Sequence, residues 1–433
     1  MRNFLRTWPA WALALVLAGA CAPPASTPTL PSPELISAVS PGRPNGSPPV
    51  SPGAPSPTRA AAVATPGWVA ARVEQPVEIE GQPTDAPVFC SPCHPILGTY
   101  IDALAVAGGR YVALGFEQPP LRAAAWVSAD AASWRRVADL PAPDASSISA
   151  VVATPVGGLI AVGGSGGAAA VWSSADGAAW QMTSLAAPAV GETEQLTAIA
   201  RVPGGGYVAG GYVSRAAQKT ATFWRSADGV EWSRVAAPAL AGPSEVTGIA
   251  AAQAGGLVVA VGISGDERRG DSAVWRSADG GATWRAASGA SLAGDSLAGG
   301  RMLAVAAGPG GFTAVGENTD QTAAMAWTSA DGASWRTASG PALVNYGLEM
   351  VMTAVAWDGA EFVADGWRAD AGNGSAVVWT SPDGVDWTHL PQDATFSGAG
   401  MAAILGSPRL VAAGTMGWPD THAAQVWLPV SSR

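Results

Sequence analysis

Lysine is almost missing. Lys219 is the only one in 433 residues, 13% of the chain is charged, and the net charge is −10. A protein that tracks a nucleic-acid backbone clusters cations against phosphate, and one that docks by charge on anionic lipid needs the same cluster. Neither partner is expected. Histidine is equally scarce, and His94, His389 and His422 are too scattered to form a zinc constellation. No metal and no cofactor are expected. What the chain does have is 54 glycines, 35 prolines, 19 tryptophans and a hydrophobic fraction of 48%. That is ample for a large core. The length suits two or three average domains or one large repeat-built β domain.

The N-terminus carries a separate signal. Arg2 and Arg6 precede an apolar stretch, "WPAWALALVLA" (8–18), that is too short to span a bilayer comfortably. "LAGAC" then ends at Cys21. This pattern resembles a bacterial lipobox, which implies cleavage of residues 1–20 and lipidation of Cys21. Ala18 stands where that motif usually has Leu, and an ordinary secretory signal is the competing reading. Residues 21–66 are rich in Pro, Ser, Ala and Thr, as in "SPPVSPGAPSPTRAAA". Such a composition buries too little apolar surface to fold. It predicts an extended tether of ~3 Å per residue where polyproline-like. The chain is therefore expected to be exported and anchored to the outer face of the cell membrane, carrying a globular part over 67–433.

That part repeats one phrase six times: "AWVSADAASW" (125–134), "VWSSADGAAW" (171–180), "FWRSADGVEW" (223–232), "VWRSADGGATW" (274–284), "AWTSADGASW" (326–335) and "VWTSPDGVDW" (378–387). Its first Trp falls at 126, 172, 224, 275, 327 and 379, with a seventh at Trp427. A period near 50 signals a solenoid or propeller. Within residues 148–184, "SAVVATP", "GLIAVGG", "AAVWSS" and "AAWQMTS" read as four short strands separated by turn residues. Four short strands per period make a propeller blade. The Ser-Ala-Asp-Gly run sits where strand three reverses into strand four. There Ser and Asp can bond turn backbone and Gly supplies a positive φ, and the Trp after the turn can cover the hairpin. The phrases resemble the Asp-box, or BNR, repeat of sialidase-like propellers, Ser-x-Asp-x-Gly-x-Thr-Trp. Only "SADGGATW" (277–284) has that full length, and the first copy has Ala131 for Gly. The resemblance covers residues 68–433 and assigns structural roles to Asp130, Asp176, Asp228, Asp279, Asp331 and Asp383. Kelch propellers share the period but lack this turn.

Six full periods end near residue 391, and only three strands come after them before Arg433. "GWVAARVEQP" (67–76) reads as a stray fourth strand. The expected fold is all-β: a seven-bladed propeller of four-stranded blades whose last blade is closed by an N-terminal strand, with no open edge.

The resemblance places ligand sites on the face opposite the repeated turns. The ends of the second strands there are Phe116, Gly164, Tyr212, Ile263, Glu317, Trp367 and Thr415. Beside them lie "DERRGD" (266–271), "WRADAGN" (367–373) and "WPDTH" (418–422). The candidate ligand residues are Tyr212, Arg268, Glu317, Trp367, Arg368, Asp370, Trp418 and Asp420. Trp357, Trp367 and Trp418 stand outside the repeated positions. Tryptophans beside Asp and Arg suit sugar or peptide stacking, and local packing is the plainer reading. Asp365 occupies a strand position that is apolar or small in the other blades, and an inner carboxylate there needs a partner or solvent. A sialidase would need an arginine cluster, a Tyr–Glu nucleophile pair and an acid. Tyr346 with Glu349 is the nearest imitation, and no catalytic residue is assigned. A two-carboxylate glycoside hydrolase stays open. "CSPCH", Cys90 to His94, has the c-type haem pattern. With no haem domain visible, an exported pair of cysteines is expected as a disulfide, Cys90–Cys93. The reading is a monomeric, surface-displayed, non-catalytic binding module for an extracellular protein or glycan. Glycoside hydrolase and haem protein are the alternatives.

Overall fold

The computed structural model describes residues 67–75 and 98–430, apart from 119–120, 138–139, 142–144, 237, 239–241, 266–269, 289–292, 295–298, 345–347, 370–373, 392–393 and 418–421. Seven antiparallel sheets of four strands succeed one another along the chain. In blades 1 to 6 the inner strands are Gly98–Ala107, Ser146–Ala153, Glu192–Arg201, Ser244–Ala251, Gly300–Gly308 and Met350–Trp357. Each leads outward through three successive antiparallel partners. Blade 7 has Ala399–Leu405, Val411–Met416 and Ala423–Pro429, and its outer strand is Trp68–Ala70 from the N-terminal side. The register is Trp68 with Pro429 and Ala70 with Trp427. Inner strands of consecutive blades touch all the way round, blade 7 against blade 1 included, so the ring is closed. The seven-bladed propeller expected from the repeat is the fold.

Two blades carry an extra strand that the repeat gave no sign of. Arg72–Val73 pairs in parallel with the outer strand Ser133–Arg136 of blade 1. Ala293–Gly294 does the same to Ser334–Thr337 of blade 5. The N-terminal segment thus completes blade 7 and crosses directly to the outside of blade 1.

The repeated phrase works as two staples. In the third strand, the tryptophans at 126, 172, 224, 275, 327, 379 and 427 are fully or almost fully buried. In blades 1, 2, 6 and 7 their indole N–H donates to the carbonyl of Glu74, Pro141, Ala342 and Thr395 at 2.8–3.3 Å. Each acceptor lies on the segment entering that same blade. In the turns of blades 2, 3, 5 and 6, the Ser hydroxyl oxygen accepts the Gly N–H and the Asp Oδ1 accepts two more backbone N–H groups. In blade 3 these are Gly229 N to Ser226 at 2.8 Å, and Val230 N and Glu231 N to Asp228 at 2.8 and 3.0 Å. Gly229 has φ of 83°, and its carbonyl accepts the Trp232 indole N–H. Backbone donors hold the turn carboxyls below the usual range, and Asp279, with Thr283 also donating to it, falls to about 2. Ser226 is buried whereas Asp228 is exposed. Ser226→Ala should therefore cost roughly 1 kcal/mol, the typical net value of one hydrogen bond, and Asp228→Ala should cost less. Paired denaturant titrations of the two variants check that order.

Every inner strand has a bulge at one level. The seven bulged residues are Asp102, Ser149, Thr197, Thr247, Leu303, Thr353 and Ala402. Opposite each bulge the second strand has a glycine: Gly115, Gly163, Gly211, Gly262, Gly316, Gly366 and Gly414. A Cβ there would sit 1.9–2.1 Å from an inner-strand carbonyl oxygen. The two backbones approach so closely that only glycine fits. In the sequence this is the "VAxG"-like run of each second strand.

Candidate functional site

Each of these glycines fixes the placement of its successor in the chain. The residue after the glycine ends the second strand on the face away from the Ser-x-Asp turns, opposite the first residues of its inner strand. The register pairs Tyr100 with Phe116, Ser147 with Gly164, Gln195 with Tyr212, Glu245 with Ile263, Arg301 with Glu317, Val351 with Trp367 and Gly400 with Thr415. These seven pairs ring one mouth of the central channel.

The mouth has two halves of different chemistry. Over blades 3 to 6 it is ionic. The Lys219 ammonium contacts the Glu245 carboxylate at 2.6 Å and lies 4.4 Å from the centre of the Tyr212 ring. The chain's single lysine is thus held between an acid and an aromatic face. In blade 5 the Arg301 guanidinium pairs with Glu317, both buried. Burial pushes the Glu317 carboxyl up, Arg301 pulls it down and neighbouring Glu349 pushes it up again. The outcome is a carboxyl at about 7. Burial also raises Glu349. In the register, Arg368 stands opposite Met350, next to Glu349. Over blades 7 and 1 the mouth is aromatic. Tyr100 stacks on Phe116 at 4.7 Å, and its hydroxyl lies 2.6 Å from His422 Nδ1. Burial raises the Tyr100 phenol to about 12 and lowers the His422 imidazole, which favours the neutral form of each. Between the halves Gln195 reaches across to Ser149 of blade 2 at 3.1 Å.

Of the residues expected at the site, Tyr212, Glu317, Trp367 and Arg368 are in this rim. Trp367 and Arg368 are half-buried. Arg268, Asp370, Trp418 and Asp420 lie outside the described residues, as do Cys21, Cys90, Cys93, His94 and Tyr346. Trp357 packs edge-on against Phe362 at 4.9 Å. It lines a groove of about 800 Å³ on the opposite, turn-bearing face, with Phe312, Trp335, Asp331 and Asp383. Asp365 is fully buried. One of its oxygens faces the Thr353 hydroxyl at 3.2 Å, the other has no partner among the described residues, and burial raises the carboxyl well above its usual value. Lys219, Glu245, Arg301 and Tyr100 were not foreseen, Glu349 was singled out only with Tyr346, and His422 only as the end of the "WPDTH" loop. The signal for Arg301 was present, since the glycine register sets it directly across from Glu317. His422 is brought to Tyr100 only by ring closure. Among the described residues no group of three or more His, Cys, Asp or Glu could hold a metal ion.

No protein-family model matches the chain, and no curated protein matches its sequence. Solved structures do. A GH74 xyloglucanase from Xanthomonas campestris is 18% identical with a TM-score of 0.51, over 78% of this chain and 55% of its own. The chain thus spans little more than half of that enzyme. An α-L-arabinanase from Penicillium chrysogenum, complexed with arabinobiose, is 12% identical with a TM-score of 0.45, over 85% of this chain and 99% of its own. Sqt1 from Chaetomium thermophilum, bound to the N-terminus of ribosomal protein L10, is 16% identical with a TM-score of 0.46, over 72% and 82%. At these identities the likeness is one of fold.

The Arg301–Glu317 pair gives a direct check on the ionic half. Arg301→Met should leave Glu317 buried without its cation and destabilise by roughly 3 kcal/mol. Adding Glu317→Gln should recover part of that loss. Urea unfolding of the single and double variants measures both.

Proposed function

We propose that the protein is a lipid-anchored, surface-displayed binding module whose channel mouth takes an extracellular protein or glycan. In this reading Cys21 is the lipidated residue, residues 21–66 are the tether, and the repeated turns are Asp-box staples remote from the ligand. The observation that carries it is the make-up of the mouth. Trp367 and Arg368 are half-buried at the rim, beside buried Tyr100, Phe116 and Tyr212 and beside charges that are already paired across strands and blades. Pre-paired charges orient a ligand by hydrogen bonds without requiring a large counter-charge, and the partly open Trp367 ring supplies stacking area. One observation favours a second reading. Burial raises Glu317 to about 7 and also raises neighbouring Glu349, and two raised carboxyls are the inventory of a glycoside hydrolase. A glycan array and a fluorogenic glycoside panel, run on the mature protein and on Glu317→Gln, separate the two. Array binding without turnover supports the module. Turnover abolished by Glu317→Gln would replace it with a hydrolase.

A further inference from the structure

The seven bulges place one residue per blade at the same level; Leu303 and Ala402 carry no polar side chain there, and blade 1 alone places a carboxyl group at it. In blades 3, 4 and 6 the bulged residue is Thr. Its hydroxyl reaches a carbonyl of the next blade: Thr197 to Val246 at 2.5 Å, Thr247 to Met302 at 2.8 Å and Thr353 to Met401 at 2.7 Å. Each acceptor is the residue just before the next blade's bulge. Each Thr oxygen also lies 3.2 Å from a carbonyl in its own second strand, at Gly210, Val261 and Asp365. The hydroxyl proton clasps the inner strands of adjacent blades. Blade 2 is joined to blade 3 differently, by Gln195 donating to Ser149.

In blade 1 the same position is Asp102. The equivalent acceptors are the carbonyls of Leu114, across the bulge, and of Ile148, just before the blade 2 bulge. A carboxylate cannot donate to either, but a carboxylic acid can. The Asp102 side chain is half-buried, and its Oδ1 is sealed from solvent with no partner among the described residues. We infer that Asp102 is a proton-operated clasp between blades 1 and 2, closed by its carboxylic acid proton as the threonines are closed by theirs, and open when ionised. Burial alone raises this carboxyl to about 7. The described residues at this level offer no counter-charge. The second strand of blade 1 and the inner strand of blade 2 present Leu114, Ile148 and Ser149 there, and Arg110 and Glu117 lie toward the ends of that second strand. Tyr100, two residues before Asp102, is the titratable group that senses it, and its phenol is neutral throughout the range concerned.

A raised carboxyl fixes the direction. The contribution is complete below the unfolded value of 3.8 and is lost as pH climbs to about 7. The clasp therefore loosens the seam next to the ring closure at neutral and alkaline pH and tightens it in acid. The test is melting of the mature wild type, Asp102→Thr and Asp102→Asn at half-unit steps from pH 4 to 9, with amide exchange read at residues 146–150. Glu317 and Asp365 contribute pH dependence of their own, so the informative quantity is the difference between variants. Both substitutions supply a donor that does not titrate. The expected result is that they melt close to wild type near pH 4 and several degrees above it at pH 8. Exchange at 146–150 should speed up with pH beyond the intrinsic rate only in the wild type. A wild-type-minus-variant difference that does not change between pH 4 and 8 would overturn the clasp. So would a variant Asp102→Asn that melts below wild type at pH 8.

Discussion

Removing residues 1–75 should lower the melting temperature by about 10 °C or more, while removing 1–60 should leave it within a degree or two. The difference lies in one short segment. Trp68–Ala70 is the outer strand of blade 7, and Trp68 is buried against Phe396, ring centres 5.8 Å apart. Beyond it, Arg72–Val73 lies along blade 1, and the Glu74 carbonyl accepts the Trp126 indole N–H at 2.8 Å. The Gln75 amide donates to the Ala424 carbonyl at 2.9 Å and accepts from Thr99. Thr99 in turn accepts from the Ala424 N–H at 2.7 Å. The same residues therefore close blade 7 and tie it to blade 1. Loss of a buried Trp alone costs about 3–5 kcal/mol, and an opened strand edge adds to it. At a few degrees per kcal/mol, that is about 10 °C or more. Equal melting of the two truncations would mean that the ring does not depend on this strand.

Gly211→Ala is expected to destabilise by more than about 4 kcal/mol or to prevent folding. Its Cβ would lie 1.9 Å from the Gln195 carbonyl oxygen and 2.8 Å from Leu196 Cα. Both are backbone atoms inside the bulge, so no side chain can move aside to relieve the clash. Six other glycines occupy the same position, and each should behave alike. Gly205 is the control, since nothing lies within 4 Å of a Cβ there. Gly205→Ala should change stability by no more than about 0.5 kcal/mol. Soluble expression and denaturant midpoints of the pair decide the matter. A Gly211→Ala protein as stable as Gly205→Ala would show that the close approach relaxes without cost.

The repeat made the architecture legible because each blade solves one packing problem with the same residues. Trp at the third strand, Ser and Asp in the turn and Gly after it recur at fixed offsets, so period, strand count and blade count could all be read. Ring closure was legible from a shortage: three strands at the end and a spare one at the start. The site was less legible because it does not repeat. Glu317 and Trp367 come directly after the repeated glycine and could be placed at the mouth. Arg301 and Glu245 come from inner strands whose bulge shifts the register by one, so their facing partners emerge only when the count starts from the repeated glycine. Lys219 meets Glu245 only across two blades. The parallel strands at Arg72–Val73 and Ala293–Gly294 left no mark because two residues carry no periodicity. Asp365 and Asp102 were different cases. The first stood out by comparison with six apolar or small residues, and the second emerged only once the bulges had been aligned.

The proposed function depends most heavily on which face meets the ligand, and site-specific photocrosslinking in the native envelope tests that. A photoreactive amino acid is placed at Trp367 in the mouth, and in a separate protein at Val230, an exposed residue in a Ser-x-Asp turn on the opposite face. A binding mouth predicts a discrete adduct from position 367, lost when Tyr212→Ala is added, and none from position 230. Adducts from position 230 with none from 367 would contradict it.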